Sequence, residues 1–246
     1  GATGNVGRRL IEVLEKKKFP IDELFLIASS KSVGKKINFK GKEHSIHDLE
    51  SFDFSSVKIA FFSAGSSIAE KWAPIAAKKT IVIDNSKFFR MDPDVPLIVP
   101  EVNSKDLKNY KKKNIIANAN CSVIPLVVAL KPLHDLYAIK RIVASTYQSV
   151  SGAGKAPMDE LLSQTKDFFE GKELNSKLFT KQIAFNAIPH IDSFLEDGYT
   201  KEEQKMHDEV KKILDSKIKI TSTSVRIPVL VSHAVSVNVE FHKKYK

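Results

Sequence analysis

The chain has one cysteine, one tryptophan and, among its 39 basic residues, only five arginines: Arg8, Arg9, Arg90, Arg141 and Arg226. A single cysteine, Cys121, cannot close an internal disulfide, so the fold does not depend on an oxidising compartment. Long apolar runs are missing as well. No stretch approaches the roughly 20 residues that span a bilayer, and no charged-then-apolar leader resembles a signal peptide, so neither a membrane protein nor a secreted one is expected. The scarcity of arginine also bears on the net charge of +10. The excess is lysine dispersed along the chain. The runs Lys16-Lys17-Lys18 and Lys111-Lys112-Lys113 fall at expected helix ends or in loops without interleaved aromatics, which reads as solvated surface rather than a nucleic-acid track. The expected partners are small anionic molecules in the cytoplasm, with no nucleic acid and no membrane.

What is present describes a globular protein. A length of 246 residues with 42% hydrophobic content supports a sizeable core and points to two domains. In the first half, short apolar runs alternate with helical patterns. LFLIAS (24–29), VKIAFFSAG (57–65), TIVIDNS (80–86) and NIIANANCS (114–122) read as buried strands; residues 8–18, 67–79 and 123–137 read as helices. Each strand ends in Gly, Ser, Asn or Asp. The pattern predicts an α/β fold with a doubly wound parallel sheet, in which ligands bind beyond the carboxyl ends of the strands. Past about residue 135 the pattern changes to one-sided strands of antiparallel type and amphipathic helices, a separate α+β unit.

Three local features carry chemistry. The opening GATGNVG has the glycine spacing of a dinucleotide turn, in which glycines let the backbone approach a pyrophosphate and a helix N-terminus supplies N–H donors. About 20 residues on, where an NAD-specific site carries an acid for the ribose 2′-hydroxyl, the chain has Ser29-Ser30-Lys31-Ser32. Hydroxyls and an ammonium suit a 2′-phosphate, so NADP is expected. Third, Cys121 falls where a strand ends and a helix begins. A lone cysteine is by itself more often a small buried hydrophobe. A helix N-terminus, however, favours the nucleophilic thiolate, and with a nucleotide domain it points to thioester chemistry coupled to hydride transfer.

At this point the residues resemble a family. GATGNVG, FFSAGSS, DNSKFFRMDPDVPLIVPEVN, IIANANCS, STYQSVSGAGK, FNAIPHID, GYTKEEQKM and SVRIPVLVSH, in this order, closely resemble the aspartate-β-semialdehyde dehydrogenases over essentially the whole chain. The resemblance implies NADP-dependent interconversion of L-aspartate 4-semialdehyde and phosphate with 4-phospho-L-aspartate, on the route to lysine, threonine, methionine and diaminopimelate. Carried over by position, Cys121 is the nucleophile, His233 the acid/base and Gln148 the residue orienting the acyl intermediate. Arg226 holds the substrate α-carboxylate, Glu202 its amino group, and Arg90 with Lys205 the phosphate. Nucleotide contacts fall on Gly1, Thr3, Gly4, Asn5, Val6, Ser29, Lys31, Ser32, Ser63, Gly65, Gly152 and Gly154; no metal is expected. His44, His47, His134, His207 and His242 read as ordinary core or surface histidines.

The resemblance further implies an NADP-binding domain over 1–120 and a substrate-binding and dimerisation domain over 121–246. Family members have a strand before the glycine turn and further elements past NVEF (238–241), so the chain is expected to be part of a longer protein that is a homodimer when complete. The sequence departs from the family's pattern in three places. Val123 stands where threonine is common, Ala234-Val235 replace a polar stretch after the histidine, and Lys87 stands where a small residue is common. Two other readings remain: a reductase acting on N-acetyl-γ-glutamyl phosphate, and a non-catalytic nucleotide-binding module.

Overall fold

The protein, a computed structural model, is described over residues 1–245. In chain order these form α1 (Asn5–Lys16), β1 (Leu26–Ala28), β2 (Lys36–Phe39), β3 (Lys42–Asp48), β4 (Ile59–Phe62), α2 (Ser66–Ala77), β5 (Ile81–Asp84), β6 (Leu97–Ile98), α3 (Pro100–Asn103) and β7 (Ile115–Asn118). There follow α4 (Val123–Tyr137), β8 (Ile139–Gln148), α5 (Lys155–Phe169), α6 (Lys201–Ile213), β9 (Lys219–Arg226) and β10 (His233–Phe241). The chain divides into two compact units, one of residues 1–96 and 108–118, the other of residues 97–107 and the chain from Ala119 onwards.

In the first unit β4, β5 and β7 lie side by side and parallel. Val82 and Ala117 have no exposed surface, as strands covered on both faces require. Their ends are tied by polar side chains: Asn118 Nδ2 donates to Asn85 Oδ1 at 2.7 Å. The glycine turn sits at the end of β1, where the Ala2 N–H donates to the Ile27 carbonyl at 3.0 Å. Two of its glycines are required by crowding. A Cβ on Gly1 would stand 2.2 Å from the Ser63 carbonyl oxygen, and one on Gly7 would stand 2.2 Å from the carbonyl oxygen of Gly1, so α1 leaves the turn at backbone contact.

One element of this unit was not anticipated. Residues 36–48 fold as a β2–β3 hairpin, antiparallel from Lys36↔Ser45 to Phe39↔Lys42, and β3 then pairs in parallel with β1. The two-residue turn at Lys40-Gly41 has φ of 51° and 76°, the left-handed pair that matches the twist of a tight hairpin. Lys-Gly is a weaker signal for it than Asn-Gly.

The second unit is built on a sheet of order β10-β8-β9. β10 pairs antiparallel with β8, but β9 runs parallel to β8 through all eight residues of its length, from Arg141↔Lys219 to Gln148↔Arg226. The expectation of antiparallel-type strands here therefore holds for β10 and is corrected for β9. The 70 residues between the end of β8 and the start of β9 pass through α5 and α6, long enough for a crossover that returns the chain in its original direction. Helix α6 opens on a capping box, with Thr200 accepting from the Glu203 N–H and Glu203 accepting from the Thr200 N–H. It buries Met206, Val210 and Ile213, but also Glu202, Glu203 and Glu209. Among the described residues no helix is long and apolar enough to cross a membrane.

Candidate active site

The sheet of the second unit brings three of the expected residues into one row. Gln148, the last residue of β8, lies opposite His233 of β10 on one side and Arg226 of β9 on the other. Directly paired residues on neighbouring strands project to the same face, so imidazole, amide and guanidinium share one end of one face. Gln148 and Arg226 are buried there.

Cys121 completes the row. Its Sγ lies 3.3 Å from His233 Nε2 across 112 residues of chain, and the thiol is exposed while its neighbours Asn120 and Ser122 are buried. It lies just before α4, whose first amides are taken by the Asn120 carbonyl, from the N–H of Val123 and of Ile124, both at 3.0 Å. The helix opens without a side-chain cap, leaving the positive end of its dipole at the sulfur. Val123 is fully buried, so an apolar side chain packs there without loss.

Support for His233 comes from Ser149, a residue the sequence did not single out. The Ser149 N–H donates to His233 Nδ1 at 3.0 Å, and its Oγ lies 3.2 Å from the same nitrogen. This replaces the polar support missing at Ala234-Val235. The Ser149 carbonyl accepts from Arg226 Nη1 at 2.7 Å. Burial pushes His233 below the ordinary imidazole value; a contact with the Ser232 backbone opposes this, while Arg226 adds to it. The ring is neutral at pH 7.

Glu202 is the charged centre of the site. Its Oε1 accepts from Asn120 Nδ2 at 2.9 Å and from Gln148 Nε2 at 3.2 Å, and its Oε2 accepts from Lys205 Nζ at 2.9 Å. Burial disfavours the carboxylate, but the Lys205 ammonium and these hydrogen bonds outweigh it, and the group ends below its usual value. Lys205 also donates to Asp192 Oδ2 at 2.9 Å. Burial opposes its charge too; Glu202 and Asp192 more than restore it. Desolvation lowers Arg226, with Glu202 and Cys121 favouring its charge.

Of the remaining expected residues, Arg90 belongs to the first unit, where its Nη2 donates to the Asn85 carbonyl at 3.1 Å. Thr3, Ser29, Lys31 and Ser32 also lie in that unit, with Thr3 Oγ1 at 3.5 Å from Ser32 Oγ. Gly65 and Gly154 precede α2 and α5 with φ of 89° and 108°. Gly152 lies beside the row: a Cβ there would stand 3.5 Å from His233 Nε2 and 3.6 Å from Arg226 Nη1. His207 packs in the interior, its Nε2 3.2 Å from Ser222 Oγ. No group of three or more potential metal ligands occurs among the described residues.

The arrangement is a thiol beside a neutral imidazole, ringed by one buried guanidinium and a carboxylate–ammonium pair. It suits nucleophilic attack on the carbonyl carbon of a small, charged amino acid. Residues 1–110 match the family described as semialdehyde dehydrogenase, NAD binding domain, and residues 130–246 the semialdehyde dehydrogenase dimerisation domain. An aspartate-semialdehyde dehydrogenase of Aquifex aeolicus is 55% identical, over 99% of this chain and 73% of its own. The crystal structure of aspartate semialdehyde dehydrogenase II of Vibrio cholerae complexed with ASA superposes with a TM-score of 0.98 at 51% identity, covering all of this chain and 74% of that one. The enzyme of Candida albicans, solved with NADP, superposes with a TM-score of 0.71 at 25% identity, covering all of this chain and 71% of its own.

Proposed function

The chain belongs to the aspartate-semialdehyde dehydrogenase family, and on that premise we propose that it converts 4-phospho-L-aspartate to L-aspartate 4-semialdehyde through a thioester on Cys121, with NADP(H) as its nucleotide. The observation that carries this reading is the 3.3 Å approach of Cys121 Sγ to His233 Nε2 at the start of α4. His233 Nδ1 accepts the Ser149 N–H, so Nε2 of the neutral ring carries the hydrogen and donates it toward Sγ, stabilising the thiolate that forms when the exposed thiol gives its proton to water. The thiolate attacks the acyl carbon of the substrate. The C–S bond forms, the bond from that carbon to the bridging oxygen breaks, and phosphate leaves with the electron pair. Arg226 holds the α-carboxylate with a planar two-donor fork, and Glu202 holds the α-ammonium. The amide of Gln148 orients the acyl oxygen. Lys205 receives the phosphate, and Arg90 keeps its expected role as an anion-binding group. When the tetrahedral adduct of the reduced thioester collapses to the aldehyde, the C–S bond breaks and the departing thiolate accepts the hydrogen bond from His233 Nε2.

The nucleotide supplies the hydride that reduces the thioester. The residues of the first unit fit such a group. The glycine turn is pressed to backbone contact at Gly1 and Gly7, while a Cβ on Gly4 would have no protein atom nearer than 3.5 Å, leaving its outer side open to a pyrophosphate. Thr3 precedes α1 and lies beside Ser32, Asn5-Val6 open the helix, and Ser29, Lys31 and Ser32 offer hydroxyls and an ammonium without a carboxylate, the chemistry a 2′-phosphate takes. Ser63 and Gly65 follow the neighbouring strand β4. In the second unit Gly152 lies against the His233 ring, and Gly154 turns the chain into α5. The same reading carries a cytoplasmic homodimer that feeds the synthesis of lysine, threonine, methionine and diaminopimelate.

The test is a phosphate-dependent assay of nucleotide reduction. Activity with aspartate semialdehyde and NADP+ is expected. Turnover of N-acetylglutamate semialdehyde in its place would move the enzyme to the neighbouring reductase chemistry, and equal use of NAD+ would remove the cofactor assignment.

A further inference from the structure

Besides Glu203 of its capping box, helix α6 carries two buried carboxyl groups seven residues apart, two turns along one face. The first, Glu202, belongs to the site above. The second, Glu209, is 1% exposed and sits beside Met206, Val210 and Ile213 on the face that packs into the interior. A carboxyl group costs free energy to bury, and an apolar residue is often the more stabilising choice at such a position. Glu209 makes one contact that bears on the site: its Oε2 accepts the backbone N–H of Asn120 at 2.6 Å, across 89 residues of chain.

Asn120 is the residue before the nucleophile, and every polar atom it has is engaged. Its N–H goes to Glu209, its Nδ2 to Glu202, its Oδ1 accepts the Ser122 N–H at 2.8 Å, and its carbonyl accepts the first two amides of α4. Residues 119–122 lie between β7 and α4 in no regular element; the Asn120 carbonyl caps α4, but no strand or helix backbone holds the Asn120 N–H or its Nδ2. Glu202 and Glu209 fix them instead, gripping Asn120 by its side chain and its backbone. Cys121, exposed between two buried neighbours, takes its direction from that grip.

We propose that Glu209 is a positioning residue of this enzyme, holding the peptide before Cys121 so that Sγ stays within reach of His233 Nε2. The proposal rests on the reading of Cys121 and His233 as the reacting pair. It is the acceptor oxygen at the right reach that matters. Displacing reacting groups by about an ångström costs on the order of a hundredfold in rate, and a loosened Asn120 acts at that scale.

Two variants separate reach from charge. Glu209→Gln keeps an oxygen acceptor at the same distance, whereas Glu209→Asp keeps the acid and withdraws it by one methylene. In the full enzyme, with folding followed by circular dichroism, we expect the Glu209→Gln enzyme to turn over within about threefold of wild type. The Glu209→Asp enzyme should lose about tenfold or more in kcat, with the KM for aspartate semialdehyde little changed, and iodoacetamide should alkylate Cys121 more slowly. A folded Glu209→Asp enzyme with wild-type kcat and alkylation rate overturns the proposal. So does a Glu209→Gln enzyme as impaired as Glu209→Asp, since charge would then be the property required. Alkylation of the wild-type enzyme is read first. If labelling Cys121 leaves turnover intact, it is the thiol mechanism that fails, and that outcome is distinct from either variant result.

Discussion

Cys121 and His233 meet at 3.3 Å although neither lies near the other in sequence, because His233 begins β10 opposite the end of β8 and Cys121 stands at the start of the helix beside them. The contact joins a sulfur at the positive end of a helix to a ring nitrogen that burial keeps uncharged. Replacing Cys121 with alanine removes the nucleophile but changes no residue of the first unit, so turnover should vanish while NADPH binding, followed by fluorescence titration, persists. Normal turnover in Cys121→Ala would instead overturn the thioester mechanism.

The pH dependence follows from the direction in which burial moves His233. Its ordinary value is 6.5 and the folded value is lower, so the neutral ring survives to a more acid pH than free imidazole allows. The acid limb of kcat/KM should therefore fall below 6.5, with rate lost as pH drops through it. His233→Asn should lower kcat by about 10²–10⁴-fold and abolish that limb. An acid limb unchanged in the variant would assign the titration to another group.

Arg226 is buried and already donates through Nη1 to the Ser149 carbonyl. A lysine retains the charge but loses the planar fork. Arg226→Lys should raise the KM for aspartate semialdehyde by roughly ten- to hundredfold, the scale of one charge-assisted hydrogen bond, with phosphate KM little affected. Steady-state kinetics with each substrate varied in turn distinguishes this from a general loss of activity.

Lys205 is shared by Glu202 and Asp192, each at 2.9 Å. An incoming phosphate competes with Asp192 for the ammonium. Asp192→Asn removes one competing charge, and the KM for phosphate should fall about two- to fivefold, consistent with the modest worth of a partly exposed ion pair. The KM for aspartate semialdehyde should stay where it is. A rise in phosphate KM would mean that Asp192 orients the lysine rather than competing for it.

For the nucleotide, the hydroxyls and ammonium at Ser29, Lys31 and Ser32 carry the preference for a 2′-phosphate. Ser32→Asp places a carboxylate beside Thr3 Oγ1, which lies 3.5 Å from the serine oxygen. Its NADPH affinity should weaken by roughly ten- to hundredfold while NADH affinity holds or improves. Calorimetric titration with both nucleotides measures the ratio.

Much of the site was readable before any coordinates, for reasons that differ by residue. Cys121 stood out as the single cysteine at a strand-to-helix junction, and the parallel strands β4, β5 and β7 showed as short apolar runs with small polar ends. The hairpin of β2 and β3 was hidden because its Lys-Gly turn and half-polar strands resemble a loop. The parallel pairing of β9 with β8 was hidden because alternation along a strand is the same in either direction. Ser149 and Glu209 left no trace of a different kind. Each acts on a distant backbone or ring through hydrogen bonds, and KEEQKMHDEV reads as a solvent-facing helix until its acids are seen buried. Asn120 sits in a string that carried the resemblance, yet its role as the anchor of the nucleophile's peptide is visible only in three dimensions.

The central claim is that Cys121 carries the acyl group. Mixing the enzyme with 4-phospho-L-aspartate in the absence of any nucleotide isolates the first half of the reaction, because thioester formation needs only the thiol and the leaving phosphate. Rapid quenching at acid pH followed by peptide mass spectrometry should find the aspartyl group on Cys121, with an equivalent of phosphate released and no adduct in Cys121→Ala. An unmodified Cys121 in an enzyme that turns over normally once NADPH is supplied would contradict the account.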